Sequence, residues 1–81
     1  MPTISRIEGY RLFFYSNEGD PREPVHVHVR RGAAEAKVWL DPSPRIARSA
    51  GFSSREQSAI LTLVRDHRGR IEAAWHEHFG A

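Results

Sequence analysis

A chain of 81 residues suffices for one small domain and is too short for two independent cores. At this size only about 60% of the unfolded chain's surface is buried, so a covering partner protein or a homodimer is expected. Cysteine is absent, which excludes disulfides, thiolate metal sites and a cysteine nucleophile, and suits a reducing compartment.

The net charge is +2, and with Lys37 the sole lysine among twelve basic residues, the other eleven are arginines. Arginine suits planar, bidentate capture of phosphate or carboxylate, although acidic residues are interspersed among these. Met1 to Arg6 has no apolar run of signal-peptide length, and no later stretch is long enough to span a bilayer. The expectation is a soluble, cytoplasmic protein formed by residues 1–81 as a single domain.

Met1 to Glu8 is a candidate short strand, with Gly9 permitting a tight turn. Tyr10 to Tyr15 is rich in strand formers and runs into the turn cluster Ser16 to Pro21, the loop continuing to Pro24. Val25 to Arg30 alternates strictly: three valines on one face, and His26, His28 and Arg30 on the other. Ala34 to Leu40 alternates less cleanly, and the short link through Gly32 predicts an antiparallel hairpin. Asp41 to Pro44 interrupts regular structure, after which Arg45 to Ala50 is either a short final strand or an irregular segment.

Ser53 or Ser54 is placed to cap a helix, with Glu56 or Gln57 completing a capping box. From there Ile60, Val64, His67, Ile71, Trp75 and His78 recur every three or four residues, one apolar stripe that passes Gly69. The stripe fits one helix with a weak point, or two helices broken near Arg68 and Gly69. The fold class is α+β: a small antiparallel sheet of three to four strands packed against this C-terminal helical stretch.

His26 and His28 have Cα atoms roughly 6 to 7 Å apart on one strand face. That spacing suits a metal ion if a third ligand arrives from elsewhere, with Glu35, His76 and His78 as candidates. It equally suits acid–base catalysis on a phosphodiester, one imidazole taking a proton and the other giving one, while Arg30 or Arg31 stabilises charge on the phosphoryl oxygens. The plain alternative is a half-exposed polar face with no chemistry. In Trp75-His76-Glu77-His78-Phe79, the two histidines point in different directions on a helix, whereas Trp75 and Phe79 are spaced to anchor it to the sheet. Neither a nucleophile elbow, a P-loop nor a dinucleotide fingerprint is present.

Phe13 to Gly19, followed by Glu23-Pro24-Val25-His26-Val27-His28-Val29, resembles a family of small prokaryotic proteins known as a domain of unknown function. Its members often open with Pro-Thr-Ile and carry a Pro-Pro-His-x-His strand. Pro2-Thr3-Ile4, Glu35-Ala36-Lys37, Trp39-Leu40, Gly51-Phe52-Ser53, His67-Arg68 and Trp75 extend the resemblance over nearly the whole chain. Val25 departs from the pattern by replacing the second proline, which loosens the strand entry. The resemblance implies a sheet-plus-helix protein encoded beside another small protein and suspected of belonging to toxin–antitoxin modules. It carries over His26 and His28 as signature positions, with Glu18 and Pro24 flanking them.

Two functions compete. One is a metal-independent ribonuclease toxin using His26, His28, Arg30 and Tyr15 without any cofactor. The other is a non-catalytic module that docks a small partner protein, with Arg31, Glu18 and Pro24 as partner- or anion-binding residues. A metal-binding protein using His26 and His28 is a third.

Overall fold

The computed structural model describes residues 3–15 and 24–80. β1 (Thr3–Ile7) and β2 (Tyr10–Phe13) form an antiparallel hairpin in which Ile7 faces Tyr10 across a two-residue connection. Glu8 and Gly9 in that connection both have positive φ, 52° and 84°. This is the turn geometry whose twist matches two paired strands, and glycine adopts it without a Cβ penalty. β3 (His26–Arg31) and β4 (Ala34–Trp39) close a second hairpin through Gly32 at φ 59°.

β5 (Arg45–Ala50) completes a five-stranded antiparallel sheet in the order β1-β2-β3-β4-β5. The expected count of three to four strands is therefore corrected to five. Both added strands lie at sheet edges, where few side chains face inward. Only Ile46 and Ser49 of β5 are even half-buried, so the hydrophobic signal of this strand is weak.

Helix α1 (Ser54–Asp66) starts at Ser53, not Ser54, through a complete capping box. Glu56 N–H donates to Ser53 Oγ at 3.1 Å, and Ser53 N–H donates to the Glu56 carboxylate at 2.8 Å. Helix α2 (Arg68–Phe79) follows directly, with the break at His67 (φ −113°, ψ 16°) and Gly69 inside the first turn of α2. The His67 imidazole Nδ1–H donates to the Leu63 carbonyl at 2.9 Å, a local bond that competes with helix continuation. Arg68 then binds Asp41, the Pro42 carbonyl and Glu72, tying the start of α2 to the β4–β5 connection. No described helix is long and apolar enough to cross a membrane.

The helices cover one face of the sheet. Leu12, Phe14, Val27, Val29, Val38 and Leu40 pack there against Ile60, Leu63, Val64, Ile71 and Trp75. The Trp75 and Phe79 rings lie 4.3 Å apart, tilted by 50°, and Phe14 meets Trp75 edge-on, so these aromatics anchor α2 to the sheet. Their arrangement leaves the opposite face of the sheet to the polar half of the alternating pattern.

Candidate functional site

The polar face is set by register. Phe13 lies opposite His28, His28 opposite Lys37, and His26 opposite Trp39, so alternation places them on the face opposite Val27 and Val29, with His26 at the start of β3 still reaching Trp75 of α2. His26 and His28 are nevertheless 0% and 1% exposed, and Lys37 is also buried, so the expected half-exposed strand face is a packed layer.

Aromatic rings build that layer. His28 stacks on Phe13 at 5.5 Å and meets the Tyr15 ring edge-on at 4.6 Å. His26 stands against His28, Trp39 and Trp75 with ring centroids 5.0 to 5.4 Å apart. Its Nδ1–H donates to the Pro24 carbonyl at 2.9 Å, which fixes that ring's orientation and ties the strand entry to it. Lys37 lays its ammonium 4.5 Å from the centre of the Trp39 ring, and Arg11 lays its guanidinium 4.8 Å from that of Phe13.

One polar cluster links this layer to the surface. The Tyr15 hydroxyl donates to Glu35 Oε2 at 3.0 Å, and the same oxygen lies 3.6 Å from His28 Nδ1. Glu35 is 31% exposed, so a buried imidazole, a half-buried phenol and an accessible carboxylate form one group. Arg30, directly across the strands from Glu35, is exposed and donates from Nε to the Gly32 carbonyl at 3.1 Å.

Thus the structure brings His28 and Tyr15 together and adds Glu35, with Arg30 beside them. From the sequence, Glu35 is a candidate only as a metal ligand. Its hydrogen bond to Tyr15 joins positions 20 residues apart and depends on pairing across three strands, which no local pattern encodes. His26 lies deeper, among tryptophans.

Arg31 points to the other face. Its guanidinium covers the Tyr10 ring at 3.9 Å, donates to the Glu8 carbonyl and lies 3.7 Å from Glu56. The Glu56 carboxyl is held below the usual glutamate range, first by the backbone N–H of Ser53, then by the Ser53 hydroxyl, with Arg31 adding to it. Pro24 is exposed and contributes its carbonyl to His26; Glu18 lies outside the described residues. Among the described residues, no three histidine, aspartate or glutamate side chains converge on a common metal position.

A family model described as a domain of unknown function, DUF4160, matches residues 9–76. The chain belongs to this family. The DUF4160 match takes in Tyr15, His26, His28, Arg30 and Glu35 and both helices up to His76, while Arg6 and the rest of β1 lie outside it. No curated protein and no solved structure matches the chain.

Proposed function

We propose that this chain is a component of a two-protein toxin–antitoxin-type module, working in the cytoplasm, and that it cleaves RNA at the polar face of its sheet. The observation that carries this reading is the Tyr15–Glu35–His28 cluster with Arg30 across the strands from the carboxylate. The accessible groups, in place of the two histidines, take the acid and base roles, because imidazoles at 0% and 1% exposure do not meet a phosphodiester.

Glu35 takes the proton of a ribose 2′-hydroxyl as that oxygen attacks the adjacent phosphorus. The P–O5′ bond breaks, and the Tyr15 hydroxyl gives its proton to the leaving oxygen. The Tyr15–Glu35 hydrogen bond returns the proton from the carboxyl to the phenolate, leaving a 2′,3′-cyclic phosphate and an unchanged protein. Arg30 neutralises charge on the phosphoryl oxygens, and His28 holds the carboxylate from behind.

The test is controlled expression in a bacterium of the wild type, Tyr15→Phe and Glu35→Gln, following growth and total RNA. Wild-type arrest with RNA loss, relieved in both soluble variants, supports the reading. General acid–base groups contribute about 100-fold or more each, so a catalytic role for either leaves little residual cleavage. Normal growth and intact RNA with the wild type overturn it.

The burial of His26 and His28 favours a second reading, in which the signature pair is a packing element and the chain is a non-catalytic module that docks the small protein encoded beside it. A stoichiometric complex that forms equally with the wild type and Glu35→Gln, without RNA loss, distinguishes it.

A further inference from the structure

Three arginines stand in one row across adjacent strands. Arg6 of β1 faces Arg11 of β2, and Arg11 faces Arg30 of β3; the row then reaches Glu35 of β4. Their chain neighbours Ile7, Leu12 and Val29 belong to or pack against the core, so alternation directs all three arginines to the face away from the helices. Neighbouring strands are about 4.8 Å apart, which confines three guanidinium-bearing positions to about 10 Å.

Near the helix starts, Arg31 and Arg68 are balanced locally, while Arg55, Arg65 and Arg70 are exposed and form no ion pair among the described residues. Arg31 lies beside Glu56, and Arg68 is bound by Asp41 and Glu72. Arg6 and Arg30 are likewise exposed and form no ion pair among the described residues. Arg45 and Arg48 of β5 add two more exposed guanidiniums to the same face, where Arg45 faces Trp39 and Arg48 faces Lys37. Among the described residues, the polar face thus carries Arg6, Arg30, Arg45 and Arg48 exposed and without an ion pair, near the accessible carboxylate of Glu35.

We propose that the Arg6–Arg11–Arg30 row binds the phosphate backbone of single-stranded RNA and leads it to Glu35. This rests on the RNA-directed reading above and names the surface that would hold the substrate. Guanidiniums at the ends of the row supply bidentate phosphate contacts, and the half-buried Tyr15 ring beside it offers a face on which a base can stack. A single strand suits the site because its bases are free to reach that ring while its backbone follows the arginines.

The test uses a short fluorescein-labelled RNA with 2′-O-methyl groups, which lacks the attacking hydroxyl and separates binding from cleavage. Fluorescence anisotropy is measured over a salt series for the wild type, for Arg6→Gln/Arg30→Gln, and for Arg55→Gln/Arg65→Gln, which removes the same charge from exposed positions of α1. Each phosphate contact on a single strand contributes about 0.7 to the slope of log affinity against log salt, so the row variant loses about 1.4 of slope while the helix variant retains the wild-type value.

An unchanged slope in the row variant, an equal loss in the helix variant, or no binding by the wild type overturns the proposal. So does equal competition by poly-glutamate, which would mark the row as a site for an acidic protein. Binding with the expected slope change but no cleavage of unmodified RNA overturns the ribonuclease reading and leaves the row standing. Cleavage with an unchanged slope does the reverse.

Discussion

The Tyr15 ring stands edge-on to the His28 imidazole with centroids 4.6 Å apart, and its hydroxyl reaches past that ring to donate to Glu35 at 3.0 Å. Tyr15 is thereby both a wall of the histidine layer and the donor that orients the one accessible carboxylate of the cluster. The two contributions separate experimentally. Tyr15→Phe keeps the ring and loses a single hydrogen bond, at a cost of about 0.5–1.5 kcal/mol. Tyr15→Ala also uncovers His28, for a loss of about 3–5 kcal/mol. Urea unfolding of the two variants checks the difference, and equal losses would mean that the ring contributes no packing.

His26 is enclosed by Trp39, Trp75 and His28 and is bonded to the Pro24 carbonyl. His26→Ala opens a cavity and orphans that carbonyl, lowering unfolding free energy by about 2–4 kcal/mol. In a domain of this size that is a large share of the total. Alanine replacement of the histidine pair therefore confuses loss of activity with loss of fold, and a circular dichroism melt of His26→Ala should show the destabilisation directly.

Capping makes α1 sensitive to acid. The folded-state pKa of Glu56 is depressed, so its contribution is present above the unfolded value and is lost as pH falls through the folded one. Glu56→Gln abolishes this dependence, and the stability gap between wild type and variant should close as pH is lowered through the acid range. Ser53→Ala removes the reciprocal bond and costs about 1 kcal/mol at neutral pH. Thermal melts of the three proteins at several pH values report both effects.

Two glycines should respond in opposite directions. Gly51 has φ 89°, and a Cβ there would lie 2.9 Å from the Ala34 Cβ, so Gly51→Ala is strained twice over and loses about 1–3 kcal/mol. Gly69 lies in α2 with nothing within 4 Å of such a Cβ, so Gly69→Ala gains up to about 1 kcal/mol. Denaturant midpoints of the pair would contradict this account if both moved the same way.

Features governed by local periodicity were legible in the sequence. The alternation from Val25 to Arg30 marks β3, Ser53 with Glu56 marks a helix start, and the spacing of Ile60, Val64, Ile71 and Trp75 marks the helical core face. The two-helix alternative matches the structure, with the break displaced to His67 because a side-chain bond to Leu63, not glycine flexibility, accompanies it.

What depends on pairing between distant segments was not legible. The burial of His26 and His28 follows from aromatic residues on β2, β4 and α2 closing around β3. The Tyr15–Glu35 bond and the arginine row both require the register of neighbouring strands, and one residue of slip would send each side chain to the opposite face.

Every strand of the sheet pairs only with its neighbours along the chain. During synthesis, all backbone partners of the sheet have therefore been made once Ala50 is added, before any of α1 or α2 exists. Leu12, Val27, Val29 and Val38 nevertheless take their cover from Ile60 through Trp75, which follow the last strand. A chain truncated after Ala50 would thus hold every strand's partner but no apolar cover, a state exposed to misassociation.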